Sequence, residues 1–257
     1  MTLAYDRSGA GPPLVLIHGI GSRRGVWKPV VPLLARKREV LAVDLPGFGD
    51  SPVLDEPPTV LALARALTTW WRELGIERPH VAGNSLGGGI ALELARMGVV
   101  ASAAALSPIG FWSPGEARWG RTMLRVSHFS ATRLARPMSA LLRSPAGRQA
   151  TIGLMYGRPA RRDPDEAIAD LATLARAPGW EAALPLTRAY VFERGGELEV
   201  PVTIGWGTRD RLLIPRQAVR ARAALPQARH VPLPGCGHIP MSDDPEGVAA
   251  LLLEASA

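Results

Sequence analysis

Short apolar runs separated by stretches of helical periodicity constrain this chain more than any other feature. Leu14-Val15-Leu16-Ile17, Val40 to Val43, His80 to Ala82, Ala103 to Leu106 and Val202 to Trp206 each read as a strand buried on both faces. His230 to Leu233 is a weaker sixth run, and Leu3 to Tyr5 is a candidate edge strand. Between them, Thr59 to Leu74, Leu86 to Met97, Arg216 to Leu225 and Pro245 to Leu253 carry apolar residues at helical spacing. Asp244 is placed to cap the last helix, with Pro245 at its first position. Strands alternating with helices predict an α/β fold, with a mostly parallel sheet and helices on both faces.

The rhythm breaks between 111 and 190, where no convincing β-run occurs. This stretch reads as a helical insertion, its first helix or helix pair covering about Glu116 to Arg143. The chain's charge is concentrated here. Residues 111 to 194 hold 13 arginines and 7 carboxylates, whereas the rest holds 17 basic and 16 acidic residues, for a net charge of +7. Three readings fit the arginines: a solvated surface, contact with an anionic membrane surface, or steering of an anionic substrate. No recognition motif or aromatic interleaving points to nucleic acid, so none is expected as a partner.

Composition excludes several classes. With 47% apolar and 21% charged residues the chain is not disordered. A single cysteine cannot form an internal disulfide. No run of about 18 apolar residues is present, and the polar start lacks the pattern of a signal peptide. A cytoplasmic location is therefore expected.

Gly83-Asn84-Ser85-Leu86-Gly87 fits G-x-S-x-G directly after an apolar run and before a helix, the context that motif requires. Ser85 would sit on a tight turn at a helix N-terminus, where free N–H groups favour developing negative charge. A serine hydroxyl needs a base. Of five histidines, His238 lies in a Gly-rich loop after the last apolar run and can reach the sheet edge that carries Ser85. His18, His80, His128 and His230 read as strand or packing positions. Asp210 follows the Val202 run and is the candidate acid that would orient the base. Asp44, also at a strand end, competes but reads as structural. Two backbone N–H groups, of Leu86 and of Ile20 in the His18-Gly19-Ile20-Gly21 loop, are the candidate oxyanion donors. Trp119, Met123 and Met241 are candidates for an apolar substrate pocket. Cys236 reads as a buried structural thiol.

Together, His18-Gly19, Asp44 to Ser51, Gly83 to Gly88, Gly207 to Asp210 and Gly237-His238 resemble the α/β-hydrolase superfamily. The resemblance implies about seven strands, a core of 1–110 and 191–257, and a helical cap at 111–190. The order Ser85, Asp210, His238 is that of the superfamily's triad. A serine at the elbow argues against the haloalkane dehalogenases and epoxide hydrolases of this fold, which use an aspartate. The reading is a serine hydrolase that cleaves a carboxylic ester or thioester of a largely apolar acyl substrate through an acyl-enzyme. No metal or organic cofactor is implied, and the partner is a small-molecule acyl substrate. Two alternatives stay open: a carbon–carbon bond hydrolase or other user of the same triad, and a catalytically silent binding protein of this fold.

Overall fold

A computed structural model describes residues 2–192 and 198–257. The seven strands are β1 (Tyr5–Ser8), β2 (Pro13–Ile17), β3 (Glu39–Val43), β4 (His80–Asn84), β5 (Ser102–Leu106), β6 (Val202–Gly207) and β7 (Arg229–Leu233). They form one sheet in the order β1-β3-β2-β4-β5-β6-β7. Every pairing is parallel except β1 with β3, where Tyr5 stands opposite Val43.

The first strand departs from the expected Leu3–Tyr5. Leu3 is buried, but the paired residues are Tyr5 to Ser8, with Asp6 and Arg7 exposed. An edge strand needs no continuous apolar run, and Arg7 instead bonds the neighbouring Glu39 at 2.9 Å.

Helices cover both faces. Short α1 (Val31–Leu34) follows β2, α2 (Val60–Glu73) follows β3 and α3 (Leu86–Arg96) follows β4. Thr59 caps α2, its hydroxyl accepting from the Ala62 N–H at 2.9 Å. Successive residues of β2 point to opposite faces, so the strand divides between two cores. Val15 and Ile17 pack with Leu63, Leu67 and Trp71 of α2. Leu14 and Leu16 pack with Trp27, Leu34, Val248 and Leu252.

Between β5 and β6 the regular elements among the described residues are all helical. They include α4 (Pro114–Arg133), α5 (Ala135–Leu142), α6 (Pro145–Ile152), α7 (Pro164–Ala175), α8 (Trp180–Ala183) and α9 (Leu186–Ala189). The break at Leu134, where φ is −119° and ψ 26°, divides α4 from α5 and puts Pro137 in the first turn of α5, where its missing N–H costs nothing. Leu124, Trp180, Leu184 and Leu186 enter the same apolar cluster as the sheet and α2. The return segment to β6 includes 193–197, which lie outside the described residues. The fold closes with α10 (Arg216–Ala224), α11 (Pro240–Asp243) and α12 (Pro245–Ala255), the last capped by Asp244. No helix among the described residues is long and apolar enough to cross a membrane.

Candidate active site

The turn from β4 into α3 places Ser85 at φ 58° and ψ −113°. Left-handed backbone is costly for a residue with a Cβ, on the order of 1–3 kcal/mol, and persists only where its surroundings impose it. Here the Ser85 N–H donates to the Leu106 carbonyl at 3.0 Å, and the Ser85 carbonyl accepts from Gly89 at 3.0 Å and Ile109 at 3.1 Å. The flanking glycines are steric requirements. A Cβ on Gly83 would lie 2.0 Å from the Gly87 carbonyl oxygen, and one on Gly87 would lie 2.2 Å from that of Ile17.

His238 and Asp210 come from loops after β7 and β6, at the same carboxyl edge of the sheet. His238 Nδ1 lies 2.8 Å from Asp210 Oδ2. The other carboxylate oxygen, Oδ1, accepts from the N–H groups of Leu212 at 3.0 Å and Leu213 at 2.8 Å. An ionised Asp210 can only accept, so Nδ1 carries the proton and Nε2 is left as the basic nitrogen. Ser85, Asp210 and His238 are all buried, and Ser85 and His238 line the same cavity.

The His238 loop is held mainly by backbone. Asn84, the elbow residue before Ser85, donates its amide to the His238 carbonyl at 2.9 Å and to that of Leu106 at 3.0 Å. The Met155 carbonyl, between α6 and α7, accepts from the N–H groups of His238 at 2.8 Å and Ile239 at 3.1 Å. Buried Asp243 of α11 accepts from the N–H groups of Gly157, Arg158 and Gly237, each at 2.8 Å. Gly157 and Gly237 meet so closely that a Cβ on Gly237 would lie 2.5 Å from the Gly157 nitrogen. Sequence reasoning missed Met155 and Asp243. A main-chain carbonyl has no residue signature, and an aspartate beside a helix start reads first as a cap.

Ile20 lies on the loop after β2, facing Ser85, and lines both cavities that reach Ser85. Leu86 lines the smaller one. His18 fixes this loop rather than titrating in it. Its Nε2 accepts from the Leu45 N–H at 2.9 Å, so Nδ1 donates to the Gly19 carbonyl at 2.7 Å. Burial drives the His18 pKa down to about 4, the Gly19 carbonyl and Asp44 opposing only in part. Asp44 is occupied elsewhere. Its carboxylate accepts from the backbone N–H groups of Arg24 at 2.6 Å and Asp50 at 2.9 Å, and pairs with the Arg24 guanidinium.

The larger cavity is about 340 Å³ and lies between the sheet edge and α4, α5, α6 and α7. Met123, Leu124, Leu154, Met155, Leu171 and Leu174 give it an apolar wall. Tyr156 and Asp170 also line it; the Tyr156 hydroxyl donates to Asp170 at 3.0 Å, and Arg162 donates to the same oxygen at 2.9 Å. Burial, with Asp170 alongside, pushes the Tyr156 phenol above its ordinary range. The smaller cavity, about 20 Å³, is enclosed by Ile20, Leu86, Ile109, Trp112, Leu186 and Leu213 among others.

Of the three expected pocket residues, only Met123 lines the cavity. Trp119 is 44% exposed on α4 and donates its indole N–H to the Arg211 carbonyl at 3.2 Å. Met241 is fully buried in the core on the other face, with Trp27 and Val248. Cys236 is buried, and that burial, reinforced by Asp243 and Asp244, raises its pKa to about 11, leaving an inert thiol. No cluster of three or more His, Cys, Asp or Glu side chains suited to a metal ion occurs among the described residues.

Residues 14–251 match the family described as the Alpha/beta hydrolase family. An uncharacterised protein of Mycobacterium tuberculosis is 29% identical over 274 residues, covering 94% of this chain and 74% of that protein. A pimeloyl-[acyl-carrier protein] methyl ester esterase of Aeromonas hydrophila is 43% identical over 96 residues, 37% of this chain and 36% of the esterase. Among solved structures, a thermophilic esterase from Thermogutta terrifontis superposes with a TM-score of 0.77 at 25% identity, over 98% of this chain and 92% of that one.

Proposed function

The chain belongs to the alpha/beta hydrolase family, and from that premise we propose that it is a serine hydrolase acting on a carboxylic ester or thioester with a largely apolar acyl group. One observation carries the reading. A serine held in left-handed backbone borders an apolar cavity, and so does a histidine whose far nitrogen is fixed by a buried aspartate. The esterases to which the chain is similar support an ester as the substrate.

In this mechanism His238 Nε2 takes the Ser85 hydroxyl proton as Oγ attacks the carbonyl carbon. The resulting oxyanion accepts from the Ile20 and Leu86 N–H groups. Its collapse breaks the bond to the alkoxide or thiolate, which leaves with the proton from His238. Water, deprotonated by His238, then attacks the acyl-serine, and Ser85 regains its proton. Asp210 stays ionised and stabilises the imidazolium. The helices between β5 and β6 act as a cap that sets the acyl group, while the smaller cavity has room for only a small group on the other side of Ser85.

The test is turnover of p-nitrophenyl esters from acetate to palmitate, wild type beside Ser85→Ala. The variant is expected to lose at least about 10⁴-fold in kcat. In the wild type, kcat/KM should rise by about fourfold per added methylene until the cavity is full, since each buried methylene contributes about 0.8 kcal/mol. Equal turnover by Ser85→Ala would overturn the assignment. No turnover at any length, together with no fluorophosphonate labelling of Ser85, would favour a silent binding protein.

A further inference from the structure

We propose that the outward face of α4 and α5 docks on an anionic lipid surface. Residues 117–162 contain 10 arginines and not one carboxylate; Arg143 and Arg162 pair with carboxylates that follow this stretch. Helix α4 is two-faced. Ala117, Gly120, Leu124 and Ala131 are buried on one side, while Arg118, Arg125, Val126, Phe129 and Arg133 stand exposed on the other. Leu134 at the break and Arg136 and Leu141 of α5, all exposed, extend this surface. Phe129 is 57% exposed, Val126 52% and Leu141 48%, high values for large apolar side chains. Among the described residues, Arg125, Arg133 and Arg136 have no ion-pair partner.

The combination selects the occupant. Apolar side chains alternating with unpaired arginines suit the boundary between acyl chains and phosphate headgroups: the former enter the apolar layer while the guanidiniums stay at the phosphates. A protein partner with a merely acidic surface would leave Phe129 and Leu134 without apolar cover. The placement also has a direction. Val126 belongs to the exposed face and to the wall of the larger cavity, which Ser127, Ser130 and Met138 continue. The docked face therefore runs directly into the space that leads to Ser85.

Co-sedimentation with vesicles of phosphatidylglycerol and phosphatidylcholine, against vesicles of phosphatidylcholine alone, tests this. Wild type and Ser85→Ala are both expected to bind the anionic vesicles, because docking does not depend on the serine's chemistry. The combined Arg125→Ala, Arg133→Ala and Arg136→Ala variant should bind about 100-fold more weakly, roughly fivefold per charge. Raising NaCl from about 0.1 to 0.5 M should weaken wild-type binding in the same sense. Phe129→Ser with Leu134→Ser should weaken it as well. All these surface variants should hydrolyse p-nitrophenyl butyrate as the wild type does, which shows that they fold. Equal binding to neutral vesicles, absence of wild-type binding, or undiminished binding by the arginine variant would overturn the proposal. So would an arginine variant that keeps vesicle binding but shows a raised KM for a carboxylated soluble ester, since the charges would then steer substrate.

Discussion

His18 uses both ring nitrogens at once, accepting from Leu45 and donating to Gly19. A second proton would remove the acceptor that Leu45 needs and place a charge in a fully buried site. The folded pKa near 4 lies below the ordinary value of 6.5, so between these values the unfolded chain binds the proton more readily. The His18 contribution to stability is therefore complete above about pH 6.5 and declines as pH falls towards 4. Urea unfolding at pH 7.5 and 4.5 should show a loss of about 2–3 kcal/mol in the wild type that His18→Asn does not share. An identical pH dependence in both proteins would contradict this. At this scale the sequence was informative wherever a reactive group follows an apolar strand, as Ser85 and Asp210 do. His238 could be singled out because a loop beyond the last apolar run can reach the sheet edge that carries Ser85. For Met241 the sequence left pocket and packing equally open, because no periodicity is readable over a four-residue helix, and it packs in the core.

Among the elements, the joint between the inserted helices and the His238 loop bears most directly on the proposed mechanism. Met155, Gly157 and Arg158 meet Gly237, His238 and Ile239 through main-chain groups, with the Asp243 carboxylate between them. Asp243→Asn preserves volume but turns one accepting oxygen into a donor that faces N–H groups. A shift of the base by about 1 Å is enough to cost about 100-fold. The variant should therefore lose about 100-fold in kcat on p-nitrophenyl butyrate, with KM changed less than about threefold and Ser85 still labelled by fluorophosphonate. A raised KM at unchanged kcat would mean that the joint shapes the cavity and leaves the base alone. The parallel strands were legible because burial on both faces demands unbroken apolar runs. The first strand was legible as an edge strand but not in its bounds, because a strand paired on one side tolerates Asp6 and Arg7. The helices of 114–189 could be expected as helices, but how they pack could not. Their contacts depend on which faces meet, and α4 turns a buried stripe inward while its arginine-bearing stripe also carries Val126 and Phe129.

Over the whole molecule, the inserted helices and the sheet share one apolar cluster: Leu124, Trp180, Leu184 and Leu186 pack in the same body of side chains as Leu86, Ile109 and Leu213. A shared core makes separate melting unfavourable. Calorimetry should give a single transition with matching calorimetric and van't Hoff enthalpies, and tryptophan fluorescence should report the same midpoint. An earlier step confined to the Trp180 environment would show instead that the insertion unfolds on its own. The grip on the His238 loop has a consequence for descent. Carbonyls and N–H groups are common to almost every residue, so this attachment ignores most side-chain substitutions in the segment that provides it. Two glycines and one aspartate must be kept, and around them the cavity wall can diverge between lineages without disturbing the base. On the proposed mechanism, substrate preference can then change by point mutation in that wall while the Ser85, Asp210 and His238 geometry is kept.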